Sequence, residues 1–153
     1  MERLVRGRPL VPGAAAGTVL SSEQPLSFWG GYDQRTGEII DRRHPLSGRN
    51  AAGTVLVLPA SRGSSTTSAV LLEAVRAGTA PAAIVTLGPD RFLALASIVA
   101  LEMFQAPVPM VAVEAADFAI VRAAAFATVE PDGTIRCDGS VAGESHHEAN
   151  RHA

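Results

Sequence analysis

The segment Ser61-Arg62-Gly63-Ser64-Ser65-Thr66 holds the residue types best suited to chemistry in this chain. It joins an apolar, strand-like run, Val55-Leu56-Val57-Leu58, to an amphipathic helical run. Gly63 can take backbone angles closed to other residues, so the strand can turn sharply and present Ser64 and Ser65 at the first turn of a helix. Unpaired N–H groups and the positive end of the helix dipole favour an anionic ligand, or an ionising hydroxyl, by roughly 0.3 to 1 kcal/mol when exposed and up to about 2 when partly buried. A single Ser or Thr suffices as an N-cap. Ser64, Ser65 and Thr66, the first hydroxyls of the run after Arg-Gly, exceed that need, which places the chemistry at this junction. A second constellation is Ser27-Phe28-Trp29-Gly30-Gly31-Tyr32-Asp33, where three of the seven aromatic residues fall within five positions. Such a cluster beside paired glycines either closes over a ligand or surface, or plugs the core. Asp41-Arg42-Arg43-His44-Pro45 offers cations to an acidic group, although most such runs are solvated faces.

The elements that must hold these residues follow from periodicity and turn chemistry. Strands are expected near 4–5 and 18–20, with a turn at Pro12-Gly13. Residues 21–50 are loop-like, carrying Gly30-Gly31, Gly37, Pro45 and Gly48, with a brief strand candidate at 38–40. A core strand at 54–58 leads into a helix over 65–76, closed by Gly78 as a C-cap. A strand at 83–85 follows, and Pro89-Asp90 opens a helix to 104 that is apolar almost all round, so it should be deeply packed or covered by a partner. Pro107 and Pro109 introduce a strand at 110–113, then come a helix at 115–124, a strand at 126–129, the turn Pro131-Asp132-Gly133 and a final strand at 134–136. The alternation from residue 54 onward indicates parallel strands with helical crossovers, completed by strands from both ends into a mixed sheet or small barrel. Residues 1–139 read as one domain and 140–153, small, polar and His/Glu-rich, as a disordered tail.

Composition narrows the function classes. The chain has 153 residues, enough to bury about 70% of its unfolded surface without a metal or disulfide. A net charge of -2 gives no electrostatic footprint for nucleic acid or a membrane. All 13 basic residues are Arg, so no Schiff-base lysine and no lysine-containing P-loop exists. One cysteine, Cys137, excludes an internal disulfide and a cysteine-ligated cluster built from this chain alone. No metal site is expected here, and any cluster must come from a partner. Without a signal-like or bilayer-length apolar run, the expected location is cytoplasmic.

Phe28-Trp29-Gly30-Gly31, Gly37 through Asp41, His44-Pro45, Arg62-Gly63-Ser64-Ser65-Thr66 and Pro81-Ala82-Ala83-Ile84, in that order, closely resemble the small, swivel subunit of aconitase X enzymes over roughly residues 3 to 138. The resemblance implies an α/β swivel domain, a mixed sheet or small barrel with flanking helices. Swivel domains of the wider superfamily carry a Gly-Ser-Ser turn whose first serine is the catalytic base; carried over, that role falls on Ser64. Aconitases that act on citrate have an arginine after the two serines, where this chain has Thr66, which points away from citrate and toward the aconitase X branch.

What the resemblance further implies is a hydro-lyase of two chains, a heterodimer or larger, whose large subunit holds an iron-sulfur cluster acting as a Lewis acid. Arg62, Gly63, Ser65 and Thr66 would bind the small hydroxy-acid substrate, and Phe28, Trp29, Gly30 and Gly31 would form a lid or subunit contact. Family members resemble dehydratases of cis-3-hydroxy-L-proline or of mevalonate 5-phosphate; the lysine-free, Ala/Arg-rich style of the chain favours the former. The rival readings are a non-catalytic anion-binding or assembly module, a phosphohistidine carrier using His44, and a serine hydrolase. The last lacks a Gly-x-Ser-x-Gly elbow, and His146, His147 and His152 fall in the expected tail.

Overall fold

The structure, a computed structural model, describes residues 2–63 and 65–139. In chain order its elements are β1 (Arg3–Arg6), β2 (Arg8–Val11), β3 (Ala15–Ser21), β4 (Leu26–Ser27), β5 (Val55–Leu58), β6 (Ser61–Arg62), α1 (Ser65–Ala77), β7 (Ala83–Leu87), α2 (Arg91–Phe104), β8 (Met110–Val113), α3 (Ala115–Ala123), β9 (Phe126–Val129) and β10 (Thr134–Asp138). The expected tail, residues 140–153, lies outside the described residues.

Eight strands form one sheet in the order β1-β10-β9-β3-β5-β7-β8-β2. Strands β3, β5, β7 and β8 run parallel, as helical crossovers from β5 onward require. Antiparallel pairs complete the sheet on either side. The two edge strands, β1 and β2, are separated in sequence by Gly7 alone, so the edges must converge and the sheet curls into a nearly closed barrel. At the seam the Gly7 N–H donates to the Gly133 carbonyl at 2.9 Å. Closure of this kind removes the exposed edges that invite strand pairing between molecules.

The alternation within each central strand divides the core in two. Leu56 and Leu58 of β5, with Ile84 and Met110, face the cluster beneath α1 and α2. Val55 and Val57, with Val85, Val111 and Val113, face a second cluster that takes in Val129, Ile135 and residues of α3. All four residues of β5 are buried, which explains its unbroken apolar sequence.

Two readings are revised, at β2 and at 38–40, and the two alternatives for α2 are narrowed. Strand β2 was not anticipated: Pro9 breaks a strand-like reading, yet proline is tolerated on an edge, and a register shift sits between Pro9 and Val11. The strand candidate at 38–40 forms only isolated bridges, Tyr32 with Ile39 and Glu38 with Asn50. The long connection around it is nevertheless built into the core, burying Phe28, Tyr32, Ile39, Leu46 and Ala51. Helix α2 is packed on one side only, through Leu93, Ala96, Ser97 and Ala100. No helix among the described residues is long and apolar enough to cross a membrane.

Candidate active site

The Gly63 turn stands at the carboxyl end of the parallel strands, where crevices of α/β sheets bind ligands. The ends of β5, β7 and β8 are tied there by Leu87 N–H to the Pro59 carbonyl and Gly88 N–H to the Val113 carbonyl, each at 3.1 Å. From β5 the chain passes through β6, which pairs in parallel with β4 and sets Ser27 beside Arg62. Gly63 has φ +122, a region that strains any L side chain, so the glycine is a requirement of the turn. Helix α1 then begins at Ser65, with no acidic residue in its first turn to offset the dipole. Arg62, Gly63 and Thr66 are exposed. Ser64 lies outside the described residues.

Beneath this exposed turn sits Thr67, fully buried. Among the described residues its Oγ1 has no hydrogen-bond partner, and it lies 3.4 Å from where a Cβ on Gly63 would stand. Leaving a buried hydroxyl unpaired costs about 1–3 kcal/mol, so this group is an open donor and acceptor held at the floor of the turn. Thr67 was not singled out from the sequence. Its only signal was being the fourth in the run of hydroxyls.

Asp90, also unremarked except as part of a helix-opening Pro-Asp pair, is what fixes the approach to the turn. One carboxylate oxygen accepts from both the backbone N–H and the hydroxyl of Ser61, each at 2.7 Å. The other accepts from Leu93 N–H at 3.1 Å and caps α2. Ser68 Oγ donates to the Phe92 carbonyl at 2.7 Å, so the starts of α1 and α2 are fastened to each other as well.

The aromatic segment divides. Phe28 is fully buried and stacks on Tyr32 with ring centroids 5.2 Å apart. The Tyr32 hydroxyl donates to the Thr79 carbonyl at 2.8 Å, and burial holds its phenol above the ordinary value. A Cβ on Gly31 would overlap the Ser27 carbonyl oxygen, so Gly31 serves the tight turn that feeds both rings inward. Phe28 and Gly31 are thus core and turn residues, the plug alternative for this part of the segment. Trp29, 68% exposed, and Gly30, at φ +79, remain on the surface, two and three residues beyond the Ser27 that pairs with Arg62.

Other candidates resolve as structural. His44 is buried, its Nδ1 accepting from Leu46 N–H at 3.1 Å and its Nε2 donating to the Gln24 carbonyl at 3.3 Å. Both ring nitrogens are thus engaged, which removes the protected phosphoryl acceptor that a phosphohistidine carrier needs. Arg42 and Arg43 are solvated. Cys137 is buried in β10, and that burial pushes its thiol up to about 11, which suits neither a nucleophile nor a metal ligand. Among the described residues no group of three His, Cys, Asp or Glu side chains is placed to hold a metal ion.

Comparison with known proteins matches residues 4–137 to the family described as the aconitase X swivel domain. The chain is 51% identical over 107 residues to cis-3-hydroxy-L-proline dehydratase of Pseudomonas aeruginosa, covering 70% of this chain and 18% of that one. It is 43% identical over 93 residues to the phosphomevalonate dehydratase small subunit of Methanothermobacter thermautotrophicus, covering 61% of this chain and 71% of that one. In structure it is similar to the aconitase X of Thermococcus kodakaraensis in its holo-form, with a TM-score of 0.76 at 29% identity, over 88% of this chain and 98% of that one. The chain therefore spans less than a quarter of the length of the hydroxyproline dehydratases it matches, 18% and 22%.

Proposed function

Because the chain belongs to the aconitase X swivel domain family, we propose that it is the small subunit of a two-chain dehydratase and supplies the base and the anion cradle of its active site. Ser64, between Gly63 and the first residue of α1 in sequence, accepts the proton from the carbon beside the substrate carboxylate. A serine hydroxyl is a poor base in water; the α1 dipole and the neighbouring Arg62 favour its charged form. Ser65, Thr66 and the free N–H groups of the first turn hold the carboxylate, with the open Thr67 hydroxyl as a further donor from below. Trp29 shields the turn or meets the partner. One cysteine in the whole sequence is too few to hold an iron-sulfur cluster, so the cluster belongs, in this reading, to the large subunit. We place the enzyme in the cytoplasm, where its single buried thiol stays reduced.

The substrate proposed is cis-3-hydroxy-L-proline. The observation that carries it is the 51% identity to the Pseudomonas aeruginosa dehydratase of that compound, against 43% to the phosphomevalonate dehydratase small subunit. Mevalonate 5-phosphate is the second reading, favoured by the relatives named as small subunits, of which this chain covers 65–74%. A phosphate also suits a helix N-terminus. Turnover of each compound by the complex with its large subunit decides between them, and activity on neither would refute both. In that complex Ser64→Ala should lower kcat by about 10²-fold or more, the usual worth of a positioned base, without dissociating the subunits. Unchanged kcat would exclude Ser64 as the base, and turnover by the chain alone would exclude the two-chain enzyme.

A further inference from the structure

Helix α2 turns an apolar face to solvent. Phe92, Leu95, Ile98 and Leu101 recur at every third residue and are 39%, 51%, 47% and 47% exposed. At 3.6 residues per turn these positions form one ridge opposite the buried Leu93, Ala96, Ser97 and Ala100. The only charged residues of the helix, Arg91 and Glu102, stand at its two ends, so nothing polar interrupts the middle of the ridge. A helix apolar on both faces belongs between two bodies, and contiguous exposed patches of this kind mark interaction sites.

We propose that the α2 ridge is the surface on which the large subunit docks, through a shallow apolar groove of its own; the inference rests on the two-chain reading and adds the face that the partner uses. Two observations choose this occupant over a second copy of the chain. The ridge starts at Phe92, whose carbonyl is held by Ser68 of α1, and the α2 cap, Asp90, grips Ser61 at the approach to the Gly63 turn. A body seated on the ridge thus abuts the candidate site and is held in fixed register with it. In the Pseudomonas aeruginosa relative the matching segment is 18% of the chain, so the greater part of that polypeptide lies outside this module and is available to cover a face of it. A second copy on the same ridge would occupy the approach to the turn.

The test uses the chain with its co-expressed large subunit. Leu95→Arg and Ile98→Arg, both at exposed positions, should leave the melting temperature of the chain alone unchanged and weaken the complex by about 100-fold, as loss of central interface anchors does. Leu4→Arg, at an exposed apolar position on β1, should bind as the wild type does. In the unmutated complex, hydroxyl-radical oxidation of Phe92 should slow relative to the chain alone, a readout that does not depend on a variant folding. Wild-type binding with unimpaired Arg variants and an unprotected Phe92 would overturn the assignment while leaving the two-chain enzyme intact. A homodimer of the chain alone that the Arg variants dissolve would give the ridge to a second copy. Failure of the wild-type chain to bind a large subunit would overturn both.

Discussion

At Thr67 the chain keeps a buried hydroxyl with no partner among the described residues, under a glycine at φ +122, a combination that folding alone does not reward. Replacing it by Val removes the desolvation penalty, so the isolated chain should be unchanged or more stable by up to about 1–3 kcal/mol in urea denaturation. If the hydroxyl serves the ligand, the same variant lowers kcat/KM of the complex by about 10-fold, the worth of one hydrogen bond, and Thr67→Ser restores it. Stability that falls with activity would instead mark Thr67 as structural. The opposite lesson comes from Phe28, Trp29 and Tyr32. Their clustering was plain in the sequence, but a loop has no period, so nothing local says which ring points inward. The tight turn at Gly31 buries the first and third rings and leaves Trp29 outside.

Helices were legible to within a residue or two because their signals are local. The reading of 65–76 closed by Gly78 corresponds to Ser65–Ala77 with Gly78 at φ +79, and Asp90 caps α2 as its place after Pro89 suggests. The bonds from the same carboxylate to Ser61, 29 residues away in sequence, were invisible from either end. Asp90→Ala should therefore cost more than an ordinary cap, which is about 1–2 kcal/mol, because two donors of Ser61 lose their acceptor too. Denaturation measures the total, and faster amide exchange at both Leu93 and Ser61 would separate this double anchor from a simple cap. Exchange rising at Leu93 alone would contradict it. Strand β2 escaped detection for the same reason: its support comes from β8, about a hundred residues later, and outweighs Pro9.

At the scale of the molecule, closure rests on the single residue between β1 and β2. A Cβ on Gly7 would overlap the Val111 Cγ1 methyl and lie 3.0 Å from the Ala112 carbonyl, so Gly7→Ala should destabilise the domain by about 1–3 kcal/mol as an overpacked core does. A variant as stable as the wild type in urea would show that the seam is loose. What the sequence by itself determined is whatever neighbours along the chain decide: the alternation of strand and helix, the glycine junction ahead of α1, the lack of lysine, the single cysteine, and a helix too apolar for a free surface. Only the tertiary structure decided the strand order, the convergence of the two edges, which aromatic rings are core, the open hydroxyl of Thr67, and which side of α2 stays bare. Those outcomes depend on contacts between residues far apart in the chain, and a local pattern of apolar and polar residues states that a side chain wants a partner without stating which one it finds.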